Sequence, residues 1–303
     1  MLDTTQFKSR LVQDLAWVIA SPPLVSGNHN DVHWWSEKEC LEEFHDCLPT
    51  LQMLDKNPEP LITHIAKLKS GRLGLRFESY ISYWLKISPN YNLLAQNIQV
   101  IEEGHTFGEL DFIIQNIHTQ KEIHLEVAVK FYLGADTNNS SLENPFHWFG
   151  TNTQDQLGLK LNHLKEHQTQ LCIKYKEHIQ NLLNVEINEK HCFLKGRLFY
   201  PMDKDIPPKG VTKNHLRGRW VSDNKQQEKQ LNDQLFYPIE KNDWLAPLDS
   251  TSLTKLFTQN RSKQNHISCY IHASQNSLGQ YLEKNRFFIL PNDFWAFLQS
   301  TNI

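Results

Sequence analysis

Four charged residues stand in segments whose other residues look like core: Glu78, Asp111, Glu126 and Lys130. An ionised side chain in apolar surroundings is costly unless it is paired or bound to a metal, so charge in such places points to a task. Three carboxylates brought into a small volume repel one another and protonate unless a cation neutralises them. An oxygen-rich site of that kind suits Mg²⁺ or Mn²⁺. A bound divalent ion activates water and holds a phosphate oxygen, and a nearby lysine steadies the charge building at phosphorus. The chemistry expected is phosphodiester hydrolysis, with nucleic acid, DNA or RNA, as the partner.

The elements that must position these residues follow from apolar periodicity. Leu73 to Leu85 predicts a helix with Leu73, Phe77, Ile81, Trp84 and Leu85 on one face, and Glu78 lies at the margin of that face. Asn97–Ile101, Glu109–Gln115 and Glu122–Leu133 predict strands, separated by Gly104 and by a polar turn over 116–121. Alternation puts Glu109, Asp111 and Ile113 on one face of the second strand. It puts His124, Glu126, Ala128 and Lys130 on one face of the third. The bland alternative for Glu126 and Lys130 is a same-face ion pair on a half-exposed strand, worth roughly 0–1 kcal/mol.

Around this centre, Phe7 to about Ile87 reads as helical throughout, with Leu11, Leu15, Val18 and Ile19 at helical spacing. Gln154 to about Leu171 predicts a helix with Leu157, Leu161 and Leu164 aligned, and Cys192 to Tyr200 predicts a strand. The polar stretch from Pro201 to Asn232 reads as a boundary or a long excursion. Strands over His266–His272 and Arg286–Leu290 follow, then a short closing helix carrying Phe294, Trp295 and Phe297.

The order helical Glu78, Gly108-Glu109-Leu110-Asp111, Glu126-Val127-Ala128-Val129-Lys130, then a helix with Gln154 and Lys160, resembles the PD-(D/E)XK nuclease superfamily. The resemblance covers roughly Gly71 to Tyr200. It implies an α/β, restriction-endonuclease-like core, a central mixed sheet flanked by helices. It further implies Asp111 and Glu126 as metal ligands, Glu78 as an additional ligand and Lys130 as the catalytic lysine. The family's spacing is Glu-x-Lys, whereas position 128 is Ala here, which puts the lysine roughly 13 Å along the strand rather than about 7 Å. Lys160, near the edge of the leucine face of its helix, is the substitute, with Gln154 on the other edge and Glu109 beside Asp111. The whole chain, with its helical preface and Trp244-Leu245-Ala246-Pro247, also resembles a bacterial family catalogued as a domain of unknown function, DUF1853. The expected division is a helical extension over 1–70, a nuclease-like core over 71–200 and a C-terminal α+β addition over 201–303.

Composition narrows the classes. With 31 basic and 34 acidic residues the net charge is −3, so any grip on nucleic acid is local rather than global. Lys209, Lys213, Arg217 and Arg219 beside Trp220 form the candidate patch, basic groups for phosphates and an indole for stacking. Five scattered cysteines without a CxxC pair fit reduced thiols in the cytoplasm. No apolar stretch is long enough for a membrane span, and no Walker A or dinucleotide fingerprint calls for a nucleotide cofactor. His163-Leu164-Lys165-Glu166-His167 matches the pattern of inverted zinc peptidases, a competing but weak reading. A catalytically inactive nuclease-fold module that binds nucleic acid or a protein is the remaining alternative.

Overall fold

The structure, a computed structural model, describes residues 4–135, 141–222, 236–258, 268–291 and 294. They fall into two units, the first from 1–130, 159–195 and 211–214, the second from 131–158, 196–210 and 215–303. Both are discontinuous in sequence, and their borders pass through two strands and a helix rather than falling at residues 70 and 200. Parallel and antiparallel pairings occur together and helices flank the strands, so the class is mixed α/β.

The first unit begins with helix α1 (Arg10–Ala20), buried from Val12 to its end. The expected all-helical preface is interrupted by a hairpin of β1 (Gly27–His29) and β2 (Val32–Trp34). Asn30 and Asp31 turn it at φ 49° and 59°, which these residue types tolerate best after glycine. Helix α2 (Glu37–Lys56) starts on a capping box, Ser36 and Glu39 each satisfying the other's backbone N–H. Helices α3 (Glu59–Ile65) and α4 (Leu73–Ile87) follow.

Two buried carboxylates fix α4. Asp14 on α1 pairs with Arg10 at 3.1 Å and Arg76 at 3.7 Å and accepts from the Tyr80 hydroxyl at 3.2 Å. Glu43 on α2 accepts from the Trp84 indole at 2.7 Å, from Asn90 at 2.8 Å and from the Ser88 hydroxyl. Arg76, Tyr80, Trp84 and Ser88 recur every four residues and line one side of the helix. The opposite side, with Glu78 and Ser82, meets β3 (Tyr91–Glu102), where the Ser82 hydroxyl donates to Gln96 at 2.7 Å.

Strand β3 pairs antiparallel with β4 (His105–Asn116), which pairs antiparallel with β5 (Glu122–Gly134). The expected Asn97–Ile101 strand thus lies in the second half of a longer one, bulged between Leu93 and Ala95. Helices α5 (Leu157–Glu166), α6 (Leu171–Lys174) and α7 (Lys176–Leu183) replace the single helix expected from Gln154 to Leu171. Leu171, Cys172, Tyr175 and Ile179 close a core with Val100, Leu110 and Ile113. Strand β7 (Ile187–Pro201) pairs in parallel with β2 through Lys190–Cys192.

In the second unit the end of β5 meets β6 (Trp148–Phe149), and the end of β7 pairs in parallel with β8 (Leu216–Ser222). That strand lies within the stretch expected to be an excursion. Beyond it come β11 (Tyr281–Leu290), β10 (Ser268–Gln275) and β9 (Phe236–Ile239), with α8 (Ser250–Thr258) against β11. Buried Arg286 donates to the Trp244 and Ala246 carbonyls and to Glu283, holding the Trp244–Pro247 segment. Trp295, Phe297 and His266 lie outside the described residues, and so does the helix expected there.

Gly218 on β8 has no room for a side chain. A Cβ would lie 2.5 Å from the Phe199 ring and 2.9 Å from the Arg286 carbonyl. Gly218→Ala therefore destabilises the second unit by about 1–3 kcal/mol, read as a lower denaturant midpoint at unchanged slope. An unchanged midpoint would show that this packing does not exist.

Candidate active site

Strands β4 and β5 bring the acidic residues together and then part. Their ladder runs from Gln115–Glu122 to Phe112–Leu125. One step further, where Asp111 would face Glu126, the Asp111 carboxylate itself becomes the acceptor: the Val127 N–H donates to Oδ2 at 2.9 Å. The charged pair thus sits at the end of the ladder, beneath the α4 face that carries Glu78 and beside α5.

Glu126 is fully buried with both oxygens engaged. Oε1 accepts from His124 Nε2 at 2.8 Å and Oε2 from the Gln168 amide at 2.7 Å. Gln168 Oε1 in turn accepts from Lys160 Nζ at 2.7 Å. A continuous chain therefore links His124, Glu126, Gln168 and Lys160. It depends on α5 ending at Glu166, because the 3₁₀ turn Gln168–Gln170 that follows aims Gln168 at Glu126.

The charges act on one another throughout. Burial pushes the Asp111 carboxyl up, the negative charges of Glu126 and Glu78 push it further, and it reaches about 8 against the stabilising Val127 N–H. Glu78 is raised by burial and by Glu109 and Glu126, with Lys160 opposing. Lys160 is lowered by burial and by the like charge of Lys130, with Glu126 and Asp111 pulling the other way. For His124 burial opposes the charge, but Cys172 and the Glu126 carboxylate outweigh it and raise the imidazole to about 10. Glu126 is thereby matched by His124, whereas the net push on Asp111 is toward its neutral form.

The structure separates the sequence-predicted residues. Glu78, Asp111, Glu126 and Lys160 form one electrostatic network, and exposed Glu109 and half-buried Lys130 reach it through Glu78 and Lys160 respectively. Gln154 is exposed in the second unit, in the turn before α5, its N–H donating to the Asn152 side chain. His163 and His167 are both exposed and stack at 4.8 Å. As placed, no three His, Cys, Asp or Glu side chains among the described residues converge into a metal cage. Sequence reasoning missed His124 as a partner and Gln168 altogether. The signal for His124 was present, since it precedes Glu126 by two residues on the same strand face.

The basic patch expected for nucleic acid is corrected. Trp220 is 5% exposed and its indole donates to the Gly134 carbonyl at 2.8 Å, so it has no face open for stacking. Alternation on β8 sends Leu216 and Trp220 one way and Arg217 and Arg219 the other. Both arginines reach Asp205, at 2.9 and 3.4 Å, and lie over the Tyr200 ring. Arg219 also donates to the Pro201 and Lys204 carbonyls, so this pair holds a loop in shape. Exposed Lys209 pairs with Glu143 at 3.2 Å, and Lys213 belongs to the other unit.

Among the described residues no helix is long and apolar enough to cross a membrane. The five cysteines are all buried and none is in a disulfide. Compared with known proteins, the chain matches no curated protein and no solved structure. A family model described as a domain of unknown function, DUF1853, matches residues 13–290. Since that match runs from within α1 to the last residue of β11, through both units, the chain belongs to the DUF1853 family.

Proposed function

We propose that the protein is a divalent-metal-dependent nuclease that hydrolyses phosphodiester bonds of nucleic acid on a PD-(D/E)XK plan. The observation that carries this reading is that half-buried Asp111, at the end of the β4–β5 ladder with its Oδ2 accepting from the Val127 N–H, shares one electrostatic network with Glu126, Glu78 and Lys160. A carboxyl raised by burial and by two further acidic groups is mostly protonated at neutral pH until a cation joins it, and the hard oxygen donors suit Mg²⁺ or Mn²⁺. Asp111 and Glu78 would hold the ion with Glu126 only by drawing closer together than they stand without it. When bound, it supplies a polarised phosphoryl oxygen and a water of lowered pKa.

The chain's own residues do the rest. Asp111 releases its proton as the cation is taken up. His124 donates to the buried Glu126, and Gln168 sets the orientation of the same side chain while positioning Lys160. The Lys160 ammonium then lies where it can steady charge on the phosphoryl oxygens. This assigns the lysine role to Lys160 and makes Lys130 a modulator of it. Five buried cysteines without a disulfide support a reducing, cytoplasmic setting.

Full-length protein with Mg²⁺ or Mn²⁺ is expected to degrade single- or double-stranded DNA or RNA, followed on gels. Asp111→Ala and Glu126→Gln are expected to abolish the cleavage. Glu126→Gln is preferred to Ala because the amide oxygen can still accept from His124 Nε2, whereas Ala leaves that buried donor without its acceptor, a cost of about 1–3 kcal/mol. Cleavage that survives both substitutions refutes the assignment. A second reading, an inactive scaffold that binds nucleic acid, draws on the engagement of both Glu126 oxygens. It predicts unchanged nucleic-acid binding in chelator and no heat of divalent-ion binding in calorimetry.

A further inference from the structure

A groove of about 280 Å³ runs between α3, α4 and β3, wholly within the first unit. One helical face of α4 supplies Leu75, Glu78, Ser82 and Lys86 to its wall, and β3 supplies Gln96 and Asn97. Lys67, just beyond α3, stands on the other side. Glu78 gives the groove its position, because the same carboxylate belongs to the acidic network.

Its character is cationic and amphipathic. Burial and the charges of Lys86 and Lys67 disfavour a charge on His64, so both lysines stand close to this one ring. The His64 Nε2–H is taken by the Ser79 carbonyl at 3.0 Å. Leu75 is 39% exposed and offers an apolar surface, while the Ser82–Gln96 pair offers polar edges.

We infer that this groove binds one unpaired nucleotide of the strand being cut, with Lys67 and Lys86 on its phosphate and the sugar and base against Leu75. The inference rests on the nuclease reading for what lies at the Glu78 end. Chemistry selects the strand state: exposed Leu75 and the Ser82–Gln96 pair, beside Lys67 and Lys86, match the face and edges of a base next to its phosphate. In a duplex that face is stacked and those edges are paired, whereas single strands and frayed ends offer both. The preferred substrate class is therefore single-stranded nucleic acid.

Fluorescence anisotropy with labelled oligothymidine, in chelator, reads the groove independently of cleavage. The single strand is expected to bind at least about tenfold more tightly than a duplex of equal length. The double variant Lys67→Glu/Lys86→Glu is expected to lose about tenfold or more, and Lys67→Arg/Lys86→Arg to retain binding. Neutralising the two cations in a Lys67→Gln/Lys86→Gln variant should flatten the salt dependence by about 1.4 in log–log slope. Equal affinity for duplex, or a salt slope unmoved by the Gln variant, overturns the inference. Hydrolysis of a thymidine p-nitrophenyl phosphodiester with Mn²⁺ separates the two readings. Its absence in wild type removes the nuclease reading, while the groove is decided by the anisotropy.

Discussion

Asp111→Asn is expected to raise the melting temperature of the first unit above pH 8 and, in the same protein, to abolish divalent-ion binding. The folded-state value of Asp111 is raised from 3.8 to about 8. A carboxyl raised on folding contributes stability that is complete below its unfolded value and is lost as pH rises through the folded one. Wild type above pH 8 therefore carries a buried charge among like charges, at a ceiling of about 1.4 kcal/mol for each tenfold gain in proton affinity on folding. Relaxation of the neighbours reduces that ceiling, and about 2–3 kcal/mol is the expected cost.

Asparagine keeps an oxygen for the Val127 N–H and removes the ionisation. The gain above pH 8 corresponds to about 4–8 °C and should vanish near pH 4, where both proteins are uncharged at this position. Mn²⁺ should stabilise wild type and not the variant. Calorimetric affinity of wild type for Mn²⁺ should rise by up to about tenfold per pH unit until pH 8, because a proton must leave Asp111 first. A melting-temperature difference that stays flat from pH 4 to pH 9 would sink the account. A variant that gains stability while losing activity is the pattern expected where a site holds unfavourable charge for a function.

The second large effect concerns the lysine. Lys160→Met is expected to lower phosphodiester hydrolysis by about 10²–10³-fold, the range for removing one preorganised charge from a developing oxyanion. Mn²⁺ binding should persist, since Lys160 donates to Gln168 rather than to a carboxylate. Lys130→Met is expected to cost less than about tenfold and to move the alkaline limb of the pH–rate profile upward. The sign follows from Lys130 depressing Lys160: once that like charge is gone, Lys160 holds its proton to higher pH. The reverse ordering, with Lys130 indispensable and Lys160 dispensable, would restore the strand lysine and overturn the assignment.

Local periodicity made much of this site legible. The apolar stripe from Leu73 to Leu85 gave α4 to within two residues, and the alternation from Glu122 to Leu133 gave β5 to within one. The shared face of His124 and Glu126 followed from the same alternation. The spacing of side chains along a helix or strand dictates which residues share a face, and a charge on an apolar face is visible without any partner being known. Where strands are short or charged, that signal fails. Three-residue β1 and β2 are too short to show a period, and β8 alternates two arginines with Leu216, Gly218 and Trp220, so it looked like loop.

By itself, then, the sequence placed Glu78 at the margin of an apolar helix face and Asp111 and Glu126 within two largely apolar strands of an α/β protein, because side-chain direction is a local property of the backbone. Only the tertiary structure decided what those groups meet. The β4–β5 ladder ends at Phe112, α5 stops at Glu166, and the turn after it brings Gln168 and Lys160 to Glu126 while Lys130 acts through Lys160. Partner choice depends on where ladders and helices end, and residues 126, 160 and 168 come together only through those endings. Trp220 obeys the same rule, since a neighbouring strand and the Gly134 carbonyl, not its flanking arginines, set its environment.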